Sequence, residues 1–84
     1  MNAQQEIRAF IERQLQEKGD LDPVADADSL ILMSGRLDSL DAVGIIAFLE
    51  DRFGLNFARI GFDLEQIDSI QRMSELVRTH ASLA

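Results

Sequence analysis

The chain has 84 residues, 46% hydrophobic and 27% charged, with one proline, no cysteine and a formal net charge of −7. That length and mix predict one small globular domain, residues 1–84, with a single core. The lack of cysteine excludes a disulfide frame, a thiolate zinc site and a cysteine nucleophile, and the acidity speaks against nucleic acid and anionic membranes as partners.

In chain order, Ile7, Phe10, Ile11 and Leu15 fall on one face of a helix running from about Ala3 to Lys18. Gly19 follows, where the left-handed conformation that ends helices is cheapest for glycine. The polar start Met1-Asn2-Ala3-Gln4-Gln5 is not a signal peptide, and no apolar run is long enough to span a membrane, so a soluble cytoplasmic protein is expected.

Residues 20–38 carry Asp, Pro, Ser and Gly and read as a long first loop, with Leu30, Ile31, Leu32 and Leu37 available to pin it to the core. Its aspartates do not form an EF-hand. A loop starting at Asp20 places Val24 at a ligand position, Ala25 where glycine is needed and Ile31 where the final glutamate belongs. Charge is nevertheless concentrated here. Residues 17–51 hold nine acids (Glu17, Asp20, Asp22, Asp26, Asp28, Asp38, Asp41, Glu50, Asp51) against two bases (Lys18, Arg36), a difference equal to the net charge of the whole chain. Such a run is either a solvated acidic surface or a docking field for basic partners.

The stretch Gly35-Arg36-Leu37-Asp38-Ser39-Leu40-Asp41 opens the second helix, which runs to Phe53 and is closed by Gly54. Asp38 and Ser39 are both N-capping residue types, since their side-chain oxygens accept bonds from free backbone N–H groups. At about 100° per residue, Ala42, Ile45, Ile46, Leu49 and Phe53 share a core face. A second strip contains Leu40, Val43, Gly44 and Ala47 with Glu50 and Asp51 toward its far end, and begins beside Ser39. Either another helix of the domain covers this strip or it is a partner-binding surface. Gly44 costs the helix about 1 kcal/mol relative to alanine.

Gly54 to Phe62 reads as a packed connection, and Asp63 to Ile67 as one short helical turn. The last helix opens at Asp68-Ser69-Ile70-Gln71, with Asp68 expected as N-cap and Gln71 completing a capping box. Ile70, Met73, Leu76 and Val77 give it an apolar face, and His80 is expected on the surface of its final turn. The expected fold is all-α, a four-helix bundle of three longer helices and one short one. One histidine, no cysteine and no glycine-rich phosphate loop offer no catalytic set, so no enzyme activity is expected.

The Gly-x-Leu-Asp-Ser-Leu segment, the Ala42–Phe53 helix, the Phe53-Gly54 end and the later Ile67-Asp68-Ser69-Ile70 together resemble the acyl, aminoacyl and peptidyl carrier protein family, over roughly residues 3–80. The resemblance implies that Ser39 is the covalent attachment point of 4'-phosphopantetheine, and that Ser69 is a helix-start residue. It implies that Asp38 and Asp41 pair with basic residues of a phosphopantetheinyl transferase. Leu40, Val43, Gly44, Ala47, Glu50 and Asp51 would then form the face met by a loading ligase and downstream transferases, with the carrier a monomer. Fatty-acid carriers commonly have an acid at the position of Gly44, and its absence here also leaves room for a partner backbone. The Gly-x-Leu-Asp-Ser-Leu entry, the Phe53-Gly54-Leu55 helix end and Phe62-Asp63-Leu64, together with that departure, resemble free-standing D-alanyl and aminoacyl carriers more than the fatty-acid carrier, which favours a small amino acid cargo. The alternatives are a fatty-acid or polyketide acyl carrier, and an unmodified acidic helical adaptor in which Ser39 is only a cap.

Overall fold

The computed structural model describes residues 2–80. Among them the regular elements are all helical: α1 (Ala3–Glu17), α2 (Ser39–Phe53), α3 (Phe57–Ile60), a 3-10 turn (Leu64–Ile67) and α4 (Ile70–His80). Three long helices and a short one match the expected all-α architecture. The short α-helix, however, lies at Phe57–Ile60, in what reads from sequence as plain connection, and the Asp63 segment is a 3-10 turn capped by the Asp63 side chain. Asn56 starts α3 by accepting the Ala58 N–H, so the local signal was a single capping residue in a stretch too short for periodicity to register.

Asn2 caps α1 through the Gln5 N–H, and Ile7, Ile11 and Leu15 turn fully inward. The helix ends in a Schellman arrangement: Asp20 N–H reaches the Leu15 carbonyl at 2.8 Å and Gly19 N–H the Gln16 carbonyl at 3.0 Å. This geometry places Gly19 at φ +89°, where a Cβ would be strained. α4 packs chiefly along α1, burying Ile70, Met73, Leu76 and Val77. α2 contributes Ala42, Ile45 and Leu49 to the same core. Beside that core, Phe10 of α1 stacks on Phe48 of α2 at 4.2 Å between ring centroids, and Phe53 meets Phe48 edge-on. These rings are only half-buried, and the centre is aliphatic.

The long loop is held down along its length. Ile31 and Leu37 are buried as expected, and so is Val24, whereas Leu32 is half-buried and Leu30 is 39% exposed. Both backbone polar groups of Val24 are taken by α1: its N–H donates to Glu12 at 2.9 Å and its carbonyl accepts from Arg8. Gln71 N–H, a free first-turn donor of α4, reaches the Ala27 carbonyl at 2.8 Å.

Asp68 is the largest departure from the sequence reading. It is not the N-cap of α4. Ser69 has that role, its hydroxyl accepting the Arg72 N–H at 3.1 Å, and the Asp68–Gln71 capping box does not form. The Asp68 side chain is instead buried, and its Oδ1 accepts the backbone N–H groups of Ile31 (3.0 Å), Leu32 (2.6 Å) and Met33 (3.1 Å). The Ile31 N–H also reaches the Asp68 carbonyl at 2.9 Å. Three loop donors turned toward the protein need an acceptor, and a carboxylate satisfies all three, while serine suffices one residue later for the helix.

Asp68→Ala would leave the Leu32 and Met33 N–H groups without their acceptor and the Ile31 N–H with only the Asp68 carbonyl, with an expected cost of about 2 kcal/mol or more. Urea unfolding reads it as a lowered midpoint, and amide exchange in residues 31–37 should accelerate before that in α1. An unchanged midpoint would show that the loop stands without Asp68.

Candidate functional site

The turn that Asp68 holds delivers the chain to α2. Gly35 N–H returns to the Leu32 carbonyl and Leu37 N–H to the Ile31 carbonyl at 2.9 Å, which buries Leu37 and leaves Asp38 outside. Asp38 and Asp41 then form a reciprocal capping box. Asp41 N–H donates to Asp38 Oδ1 at 3.0 Å and Asp38 N–H to Asp41 Oδ2 at 3.0 Å. Asp38 is therefore the N-cap and Ser39 the first helical residue. Ser39 is exposed, and its hydroxyl has no hydrogen-bond partner among the described residues. Ser69, in the similar Asp-Ser triplet, is buried and its hydroxyl is occupied.

Lys18, at the end of α1, lies against both acids of the box, 2.6 Å from Asp41 Oδ2 and 3.2 Å from Asp38 Oδ2. Gln14, one turn earlier, donates to the Asp41 carbonyl at 3.1 Å. α1 thus fastens the start of α2 at two points. The Asp41 N–H, the Lys18 ammonium and Asp41 hold the Asp38 carboxyl down to about 2, well below its ordinary 3.8. Asp41 and then Asp38 raise Lys18 above its ordinary 10.5. The second base of the acidic region is also engaged. Arg36 Nε, 3.1 Å from Asp20, and then the Asp22 N–H donating to Asp20 Oδ1 hold the Asp20 carboxyl below the usual carboxylate range, and Arg36 Nη2 donates to the Asp22 carbonyl.

The second strip of α2 is not covered by another helix among the described residues. Leu40 is 78% exposed and Val43 61%, with Ala47 and Asp51 also exposed. Two of the strip's residues have internal partners. Glu50, expected as a rim charge, is exposed but also takes the Phe57 N–H at 3.0 Å and so secures α3. Gly44 is half-buried at the margin toward α1, and a Cβ there would lie 3.0 Å from Gln14 Nε2. The room at Gly44 is used by Gln14 and not left open to a partner backbone. Gln14 Oε1 is buried there without a partner.

Two hollows exist elsewhere, both open. One is lined by Asp63, Glu65, Arg72, Glu75 and His80 among others, the second by Gly54, Asn56, Arg59, Ile60 and His80. The second lies at the opposite end of α2 from Ser39, about 20 Å along a helix of this length. Sequence reasoning missed Gln14 and Asp68 as residues that position the Ser39 end, and Lys18 as the cation that neutralises its acids. Only Lys18 left a trace, as one of two bases in the acidic stretch.

No family model, curated protein or solved structure matches this chain. Among the described residues no helix is long and apolar enough to cross a membrane.

Because Asp38 makes the cap and Ser39 does not, Ser39→Ala should leave the urea midpoint unchanged, while Asp38→Ala lowers it at neutral pH. A depressed carboxyl contributes stability above its unfolded value that is lost as pH falls through the folded one. The gap between the two variants should therefore close as pH drops from about 4 to about 2. Equal midpoints at pH 7 would assign the cap elsewhere.

Proposed function

We propose that this protein is a carrier that holds acyl or aminoacyl groups on a phosphopantetheine arm attached to Ser39. The observation that carries the reading is the state of that serine. It is exposed, its hydroxyl is unengaged, and it sits on the first turn of a helix whose start is fixed independently by Asp38 and Asp41. Ser39 can then be modified without loss of the cap.

The surroundings fit a phosphodiester. The N–H groups of Ser39 and Leu40 belong to the unpaired first turn of a 15-residue helix, where backbone dipoles favour a phosphate. Lys18 offsets the acids on either side. In the transfer, the Ser39 Oγ–phosphorus bond forms as the anhydride bond of coenzyme A breaks. The hydroxyl proton passes to a base of the phosphopantetheinyl transferase, and the nucleotide bisphosphate leaves. Once attached, the arm supplies a thiol that carries the cargo as a thioester.

The chain's own contribution is position and recognition. Leu40, Val43 and Ala47 offer a small apolar anchor beside the attachment point, and Asp51 an exposed charge at its far end. A contact of this kind suits transient docking by a loading ligase and downstream transferases, since electrostatic steering raises the association rate without tight binding. We place this activity in the cytoplasm, with the carrier a monomer.

A small amino acid is favoured as cargo over a fatty or polyketide chain. Burial would stabilise a long chain by about 0.8 kcal/mol per CH₂, but such a chain would have to part core side chains that already exclude water, each exposed by no more than 7%. The hollows are polar-rimmed, and the one beyond Gly54 is at the wrong end of α2.

Incubation with coenzyme A and a phosphopantetheinyl transferase should add one arm to the intact mass, and Ser39→Ala should abolish the addition while Ser69→Ala does not. An unmodified protein would leave only an acidic helical adaptor. On the loaded protein, an octanoyl group should leave the melting temperature close to that of the aminoacyl form. A clearly higher octanoyl value would mean that the chain enters the core, and would overturn the preferred cargo.

A further inference from the structure

The acids nearest Ser39 already have a cation. Lys18, the chain's single lysine, bridges Asp38 Oδ2 and Asp41 Oδ2 at 3.2 and 2.6 Å. We propose that Lys18 is a placeholder, occupying Asp38 and Asp41 until an arginine of a docking enzyme displaces it, so that docking at Ser39 proceeds by cation exchange. The inference rests on the carrier reading of Ser39 and concerns how that site is regulated.

Three features support exchange over a purely structural ion pair. First, the cap does not depend on Lys18. Asp38 Oδ1 accepts the Asp41 N–H while Oδ2 faces Lys18, and Asp41 Oδ1 has no partner among the described residues. A new cation can therefore take Asp38 Oδ2 and Asp41 Oδ1 while both cap bonds stay made. Second, the Asp38 side of the bridge is open to approach, with the side chains of Lys18 and Asp38 37% and 62% exposed, while that of Asp41 is 20% exposed. Exposed ion pairs contribute little on balance, so replacement is close to even and readily reversed. Third, Lys18 lies just past the last residue of α1, so its flexible stem can swing away without breaking a helical turn. An ammonium is a point charge, whereas a guanidinium presents a planar fork that can bridge two carboxylates. The geometry thus selects arginine as the displacing group.

The other charges nearby do not fill this role. Arg36 is committed to Asp20 and the Asp22 carbonyl. Asp51 has no ion-pair partner among the described residues and is left to steer the approach. The start of α2 is therefore gated, and its far end is not.

The test compares initial rates of phosphopantetheine transfer, by intact mass, for the parent chain, Lys18→Gln, Lys18→Arg and Arg59→Gln. Arg59 is exposed on α3 without an ion-pair partner among the described residues, so its variant makes the same change in net charge away from Ser39. Lys18→Gln should be modified about two- to fivefold faster than Arg59→Gln at low ionic strength, with the ratio falling toward one as salt rises. Lys18→Arg should be no faster than the parent, because an internal guanidinium holds the acids at least as firmly. A structural role for Lys18 predicts the opposite order, with Lys18→Gln slowed and Lys18→Arg rescuing. Equal rates for Lys18→Gln and Arg59→Gln, or acceleration by Lys18→Arg, would overturn the exchange while leaving the carrier reading intact. Modification of none of the four would remove the carrier reading, and the exchange with it.

Discussion

The buried carboxylate of Asp68 connects the last helix to the loop that leads into α2. Its Oδ1 gathers the N–H groups of Ile31, Leu32 and Met33, and the turn closed there by Leu37 sets down Asp38 and Ser39 at the start of α2. A loop of this length would otherwise add conformational freedom at the entry to α2. The position of Ser39 thus depends on a residue 29 positions further along the chain. Further anchors divide the loop into short spans, with Val24 bonded to α1 through Glu12 and Arg8 and the Ala27 carbonyl to the first turn of α4.

α1 completes the arrangement from the other side. Gln14 and Lys18, a turn apart, reach the backbone and side chains of the first turn of α2, and Phe10 and Glu6 continue the contact toward its far end through Phe48 and Arg52. The helix pair is therefore joined by a polar seam at the Ser39 end and by aromatic stacking further along. What remains outside is the strip of Leu40, Val43 and Ala47. A small domain leaves some apolar surface in water in any case. Here Leu40, Val43 and Ala47 share one face of α2 next to the exposed serine, while Leu21, Met33, Phe62 and Leu64 are exposed elsewhere on the surface.

Local patterns carried much of the fold. Ile7, Ile11 and Leu15 mark α1, and Ala42, Ile45 and Leu49 mark α2, because a 3.6-residue period is a property of neighbouring residues and is visible without partners. Gly19 and Gly54 mark helix ends for the same reason, each supplying a positive φ that side chains disfavour. Asp68 was misread because an aspartate beside a serine at a helix start satisfies the capping pattern in two registers. The choice between them is made by Ile31, Leu32 and Met33, which are remote in sequence. α3 went unread because four residues show no period.

The helical class, the three long helices and their apolar faces, the start of α2 near Ser39, and the concentration of acid around it are legible in the chain without its fold. Each follows from spacing or residue type over a few turns. Only the tertiary structure decided that the second strip of α2 stays uncovered, that Gly44 gives its space to Gln14, and that Lys18 neutralises the acids of the cap. Those outcomes depend on how α1 and α4 lie against α2, and so on contacts between residues far apart in the chain. A charge count can register the excess of acid in residues 17–51. It cannot register that both bases of that stretch turn back onto its aspartates, because ion pairing is set by distance in space and not by order along the chain.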